Sequence, residues 1–146
     1  MEGLIKYKIL KERKVVIHCY GGKVCITQIK ENALKLMEDE DFSPDFDEIT
    51  DLRNSELVFN HKDDILNYIR FLKTKPSYLS KRKIAVLTNS PDHVVKSTLY
   101  KGFGNSLPMR PQVFSTFESI KNYLDIPDFS EQEFNYIVSW MRDSKV

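Results

Sequence analysis

Six polar residues follow two apolar segments of the sequence, and together they could bind an anion. They are Asp51, Arg53, Asn54, Thr88, Asn89 and Ser90. In an open parallel sheet, ligands bind at the carboxyl ends of the strands, where two such segments would lie side by side. Arg53 beside the positive end of a helix that starts at Pro91 would favour an anion. The alternative is that Asp51 and Arg53 pair with each other or with helix caps, and both interpretations stay open.

A serine and a histidine near the same predicted helix start raise the question of nucleophilic catalysis. Ser90 and His93 are three positions apart, but an activated nucleophile also needs a third group that orients the base. Asn89 or Ser90 is already explained as a helix cap, and the sequence has no Gly-x-Ser-x-Gly motif. We therefore predict no catalytic residues and a protein that is not an enzyme.

Oxygen-bearing side chains occupy alternate positions in an acidic stretch, as in a calcium-binding EF-hand loop. They are Asp39, Asp41, Ser43, Asp45 and Asp47. The loop also needs a glycine at its sixth place and a bidentate glutamate at its twelfth, but those places hold Pro44 and Thr50. A solvated loop between a helix and a strand is therefore the better interpretation.

The histidines and cysteines do not have the spacing of a zinc site. The sequence contains His18, His61 and His93, and it has no His-x-x-x-His or Cys-x-x-Cys pair. His18 with Cys19 and Cys25 could form an irregular site, but the spacing favours a partly buried histidine on a strand. We predict no metal and no cofactor.

Composition is typical of a single soluble domain. The 146 residues suffice for one domain with its own core. The 22 basic and 21 acidic side chains leave a formal charge of +1, so we expect no nucleic-acid partner. The N-terminal residues lack the apolar core of a secretory signal, and no stretch approaches the roughly 18 apolar residues of a membrane span. Two cysteines flank a Gly-Gly pair and are expected to be reduced thiols, which predicts a cytoplasmic protein.

The fold is predicted to be organised around residues 84–87, an unbroken apolar run. Such a run is typical of a strand that helices cover on both faces. Residues 88–90 then supply helix caps, and Pro91 suits the first position of a helix. A buried strand followed by a capped helix is the repeating unit of a parallel or mixed sheet.

Periodicity predicts the other elements in chain order. A hairpin of strands 4–10 and 15–20, ended by Gly21-Gly22, is followed by a helix over 26–37 and a strand over 46–53. Next come a helix with Asn60 as its N-cap, a strand over 84–88, a helix over 91–101, a strand over 112–114 and two final helices.

One inward helix face and two capping boxes are also predicted. The helix over 91–101 is predicted to face inward with Val94, Val95 and Leu99. The last two helices are predicted to begin with capping boxes, formed by Ser115 with Glu118 and by Ser130 with Glu133.

Three segments resemble the small bacterial STAS-like proteins, which are related to the sulfate transporter and anti-sigma factor antagonist domain. They are residues 41–46 running into 50–53, residues 82–86, and residues 112–114 leading into 117–120 and Leu124. The resemblance implies an α/β domain over residues 1–126. Its mixed sheet would have about five strands, with an N-terminal hairpin followed by βαβαβα, and helices would cover the sheet. One extra C-terminal helix, over 127–146, would pack on the same domain or serve in dimerisation.

The resemblance also directs attention to one serine. Antagonists of this type carry an Asp-Ser followed by small residues at the start of the helix after their third strand, and that serine is phosphorylated to switch partner binding. Here the corresponding segment is 53–60, and Ser55 is the nearest serine, without the small flanking residues. Ser55 is therefore a candidate regulatory site, with a solvated turn serine as the alternative.

The sequence thus predicts a non-enzymatic interaction or regulatory module with an unidentified protein partner. We expect it to self-associate or to dock through its helices, with Tyr136 and Trp140 of the last helix at the interface. The alternative is a small-ligand binder that holds an anion at Arg53 and Ser90 or an apolar molecule between helices and sheet.

Overall fold

The computed structural model describes residues 3–59 and 62–144, and its centre is a five-stranded sheet. The strands, in chain order and also in order across the sheet, are β1 (Leu4–Leu10), β2 (Val15–Val24), β3 (Asp47–Leu57), β4 (Lys83–Leu87) and β5 (Arg110–Phe114). β1 runs antiparallel to β2, and all other neighbouring strands in this sheet are parallel. The predicted mixed sheet with an N-terminal hairpin is confirmed.

Helices cover both faces of the sheet, as the apolar run at 84–87 predicts. They are α1 (Ile26–Glu38), α2 (Lys62–Lys73), α3 (Pro91–Phe103), α4 (Phe117–Leu124) and α5 (Glu131–Asp143), with a 3-10 turn at Pro76–Tyr78. The first three lie on one face and the last two on the other, and each face has its own core. None of the helices in the described ranges is long and apolar enough to cross a membrane.

Burial on both faces explains the sequence of β2. Residues 15–20 are all buried, because alternate side chains enter the two cores. Val15 and Ile17 join the core under α4 and α5, whereas Val16 and Tyr20 join the core under α1, α2 and α3. A strand covered in this way has no solvent-facing side, so its sequence does not alternate.

The last helix, α5, packs on the sheet beside α4. Its Phe134 is fully buried, and its ring stacks on that of Phe117 with the centroids 4.6 Å apart. The helix begins as predicted, because the Ser130 hydroxyl accepts a hydrogen bond from the Glu133 N–H at 3.0 Å. The inner face of α5 therefore belongs to the same core as β2 and β4.

The inward face of α3 is not the predicted one. The exposed fractions of Val94, Val95 and Leu99 are 43%, 58% and 41%, so the prediction that they are buried is wrong. The stripe on the sheet side consists of His93, Lys96, Ser97 and Tyr100. Both stripes have helical spacing, and the polar stripe faces inward because it bonds to β3 and lines a cavity.

The strands β2 and β3 are longer than the sequence indicated. β2 continues through Gly21-Gly22 to Val24, so the prediction that the glycines end it is wrong. The register with β3 is irregular between Cys19 and Gly21, and Gly22 has a φ of 69°, which glycine adopts without strain. β3 in turn extends past Arg53 to Leu57, because residues 54–57 pair with this extension of β2.

One predicted cap is displaced by one residue and another cannot be compared. α4 is capped by Thr116, whose hydroxyl accepts from the Ser119 N–H, and not by Ser115. The predicted cap Asn60, like His61, lies outside the described residues.

Truncating the buried aromatic of α5 tests how much this helix contributes to stability. We expect Phe134→Ala to lower the free energy of unfolding by about 3–5 kcal/mol, because it removes a buried ring and leaves a cavity. Tyr136→Ala in the same helix is the matched control, since Tyr136 is 74% exposed, and it should change stability by about 0.5 kcal/mol or less. Urea unfolding measures both, and equal losses would contradict the packing described here.

Candidate functional site

A cavity of about 130 Å³ lies between the sheet and helices α1, α2 and α3. Its apolar wall includes Ile26, Ile29, Ala33, Leu52, Phe59, Ile65, Val86 and Met109. Four tyrosines from four different elements also line it: Tyr20, Tyr68, Tyr78 and Tyr100. We call it the tyrosine cavity. It lies over the face of the sheet and not at the carboxyl ends of the strands, because residues near the start of β3 and β4, Glu48 and Ile84, form part of its wall.

The phenol groups of this cavity are neutral hydrogen-bond donors. Burial raises the pKa of all four tyrosines, and the negative charge of Glu48 raises each of them further. Tyr68 and Tyr100 also contact each other, with ring centroids 6.0 Å apart. The cavity therefore combines apolar walls with several O–H groups in one place, as small-molecule sites do.

Glu48 belongs to a buried charged network at the floor of the cavity. Glu48, Arg82 and His18 are 2%, 3% and 4% exposed. The Arg82 Nε donates to Glu48 Oε2 at 2.6 Å, and the His18 Nε2 lies 2.6 Å from Glu48 Oε1. The guanidinium of Arg82 also lies over the Tyr78 ring, 4.3 Å from its centroid. The network links β2, β3 and the segment before β4.

These partners keep the Glu48 carboxylate ionised. Burial alone would raise its pKa, but the charge of Arg82 and the hydrogen bond and charge of His18 outweigh burial. The pKa of Glu48 is thereby lowered from 4.5 to about 2. At neutral pH this carboxylate is a weak base and no proton donor, so it is poorly suited to acid–base catalysis.

His18 is a structural histidine on a strand, the interpretation that the sequence favoured. The Asn32 side-chain amide lies 3.0 Å from His18 Nδ1, so both ring nitrogens face protein partners. Cys19 points into the opposite core. Within residues 3–59 and 62–144, no three histidine, cysteine, aspartate or glutamate side chains are grouped to hold a metal ion.

The predicted anion-binding residues divide into two separate sets of contacts. In the first, the buried Asp51 accepts hydrogen bonds from Arg53 Nε at 3.0 Å and from Arg53 Nη2 at 2.9 Å. The same guanidinium extends to Asn135 of α5, 3.3 Å away. Arg53 is therefore directed towards α5, on the face opposite α3, and pairs with Asp51 as the alternative interpretation proposed.

The second set lies at the start of α3 and is centred on a buried histidine. His93 Nδ1 lies 2.7 Å from Thr88 Oγ1, and His93 Nε2 lies 2.8 Å from the Ser55 carbonyl oxygen. The Thr88 hydroxyl also accepts from the Ser90 N–H at 3.1 Å. His93 therefore joins the end of β3 to the start of α3 and is not a base for Ser90. Asn54 and Asn89 are exposed, and ligand binding by the six residues stays a prediction.

Ser55 does not stand at a helix start. It lies within β3, and its hydroxyl donates to the Leu52 carbonyl oxygen at 2.8 Å. A phosphate there would not be placed beside the first turn of α2, which begins at Lys62. A phosphate on Ser55 would therefore not be stabilised by a helix dipole, which was the electrostatic basis for a switch at this position. Regulation at Ser55 stays a prediction.

The Glu48 network makes stability depend on pH in a defined window. Because the folded pKa of Glu48 is about 2 and its ordinary value is 4.5, the unfolded chain binds the proton more readily. The stabilisation is therefore present above pH 4.5 and lost as the pH falls towards 2, by about 3 kcal/mol in total. Urea unfolding of wild type and Glu48→Gln across this window measures the effect. The difference between the two proteins should shrink on acidification, and a constant difference would show that Glu48 is not stabilised in its ionised form.

Comparison with known proteins identifies the fold. No protein-family model and no curated protein matches the chain. Among solved structures, it is similar to an uncharacterised protein of the DUF3478 family with a SpoIIAA-like fold, from Shewanella loihica PV-4. The two chains are 14% identical, the match covers 85% of this chain and 96% of that chain, and the TM-score is 0.57. The chain therefore has the SpoIIAA-like, or STAS-like, fold that its sequence segments predicted.

Proposed function

We propose that this protein is a non-enzymatic binding module that takes a small, mostly apolar ligand into the tyrosine cavity. The observation that carries the proposal is the combination of a volume of about 130 Å³, apolar walls and four tyrosines in the lining. Typical sites for drug-sized ligands have roughly 300–1,000 Å³, so the volume favours a much smaller molecule. The small-ligand alternative from the sequence thus becomes the preferred function, with the ligand between helices and sheet and not at Arg53 and Ser90.

The groups around the cavity support binding more than catalysis. The Glu48 carboxylate has a pKa of about 2 and is held by Arg82 and His18. The phenol groups have raised pKa values and keep their protons. Such groups orient a ligand through hydrogen bonds, but they neither accept nor release a proton readily near neutral pH.

Filling the cavity with a side chain of the protein tests the proposal. We expect a thermal-shift screen of small apolar compounds to raise the Tm of wild type, because a ligand at 100 times its Kd adds about 2.7 kcal/mol to the free energy of unfolding. Ser97→Phe places a ring in the wall of the cavity and should abolish the shift. Thr98→Phe, at an exposed position of the same helix, is the matched control and should retain it. A screen without any shift, or an equal shift in Ser97→Phe, contradicts ligand binding at this site.

A protein-interaction or regulatory role is the second candidate, because two helices expose apolar side chains. Tyr136 and Trp140 of α5 are 74% and 55% exposed, and the Lys8 ammonium lies 5.0 Å from the centroid of the Trp140 ring. On α3, Val94, Val95 and Leu99 are exposed, while the opposite side of the helix lines the cavity. Apolar side chains grouped in water usually mark an interface. A ligand in the cavity would contact the inner side of a helix whose outer side is available to a partner.

Self-association through α5 is tested by light scattering. We expect wild type to have a mass above that of the monomer and Trp140→Glu to be monomeric, because a charge at the centre of an apolar contact is costly to bury. Ser139→Glu introduces the same charge at an adjacent exposed position and should leave the mass of wild type unchanged. A wild type that is monomeric at all concentrations tested would remove the dimer proposal.

A further inference from the structure

The polar groups of the tyrosine cavity indicate the chemistry of its ligand, an inference that rests on the function proposed above. The hydroxyls of Tyr20, Tyr68 and Tyr100 make no hydrogen bond to any residue of the described ranges. Tyr20 is only 8% exposed, and all three tyrosines border the cavity, so a partner for their hydroxyls would lie in its space. A phenol group buried in this way normally has a hydrogen-bond partner.

The raised pKa values of these hydroxyls keep the phenol protons in place, so each hydroxyl remains a hydrogen-bond donor. None of them has an acceptor among the described residues. The acceptor oxygens of Glu48 are already engaged with Arg82 and His18. A ligand that satisfies the tyrosines must therefore bring an acceptor atom of its own, which an ammonium or guanidinium group does not have.

The charged groups around the cavity indicate whether the acceptor of the ligand is neutral or anionic. At Tyr100 the effect of the Glu48 carboxylate, which raises the pKa, exceeds the opposite effect of Arg82. An anion would also have to leave water for a mostly apolar wall, and the buried cation beneath the cavity, Arg82, is already paired with Glu48 at 2.6 Å. The two lysines of the cavity wall are engaged with other groups of the protein. Lys96 bonds to Asp92 at 2.9 Å and to a backbone carbonyl, and Lys101 bonds to Gln112 at 2.9 Å.

Size and wall composition restrict the apolar part of the ligand. The volume of about 130 Å³ is close to that of an engineered apolar cavity of about 150 Å³ that binds benzene in another protein. Phe59 and the rings of Tyr68 and Tyr100 line the space, and aromatic rings favour offset or edge-to-face contact with one another. One aromatic ring fits these dimensions and surfaces.

We propose that the tyrosine cavity binds a neutral compound of one aromatic ring whose carbonyl oxygen accepts hydrogen bonds from the tyrosine hydroxyls. Three compounds of nearly equal size separate the contributions: acetophenone is neutral with a carbonyl, ethylbenzene is neutral without an acceptor, and benzoate is an anion. Isothermal titration calorimetry with each compound gives the affinities.

Acetophenone should bind wild type about tenfold more tightly than ethylbenzene, the value of one or two net hydrogen bonds, and more tightly than benzoate. Tyr20→Phe and Tyr100→Phe remove only an oxygen, so each should weaken acetophenone and leave ethylbenzene unchanged. Tyr136→Phe, on the exposed face of α5, is the control and should alter neither affinity.

The outcomes distinguish this inference from the function on which it rests. If ethylbenzene binds as tightly as acetophenone, and Ser97→Phe abolishes both, the cavity binds ligands but the carbonyl inference is wrong. Tighter binding of benzoate also overturns it, since the cavity would then prefer an anion to a neutral acceptor. If no compound of the series or of the wider screen binds, the proposed function itself fails. If a tyrosine variant does not fold, the affinities of wild type for acetophenone, ethylbenzene and benzoate still test the carbonyl inference.

Discussion

The charge of Glu48 lies in the middle strand of a sheet whose two faces are both covered by helices, and the surrounding structure has to compensate it. An unpaired carboxylate at such a depth costs several kcal/mol of desolvation. The compensation comes from both sides of β3, since His18 belongs to the neighbouring strand β2 and Arg82 precedes the neighbouring strand β4. The ion network therefore sets the relative positions of three strands, in addition to the backbone ladder.

The same network explains why the two faces of the sheet differ. Under α4 and α5, the rings of Phe117, Phe129 and Phe134 contact one another and fill the space. Under α1, α2 and α3, charged and phenolic groups must keep their hydrogen-bond geometry, so side chains there cannot close together as an apolar core does. The tyrosine cavity lies on this second face, and burial first and the Glu48 carboxylate second raise the pKa of its phenol groups.

Features specified by neighbouring residues were predictable from the sequence, whereas features that depend on distant pairs were not. The Ser130 cap needs only the residue three positions later, and the apolar run at 84–87 marks a covered strand by itself. The Glu48–Arg82 pair joins residues 34 positions apart, and no local sequence pattern predicts it.

The prediction of which face of α3 is buried was wrong for a related reason. Two stripes of equal period compete, and only contacts with β3 decide between them. The tyrosine cavity is the extreme case, because its lining comes from elements spread between residues 18 and 113.

The position of α5 has a consequence for biosynthesis. The Arg13 side chain after β1 pairs with Glu133 of α5 across 120 positions of the chain, and the buried face of β2 depends on the same helix for cover. Contacts of such long sequence separation form late and slow down folding. While a ribosome is still translating residues 131–143, the first hairpin can already pair, yet one of its apolar faces has no cover. The nascent chain is most vulnerable to aggregation or to capture by chaperones in that interval.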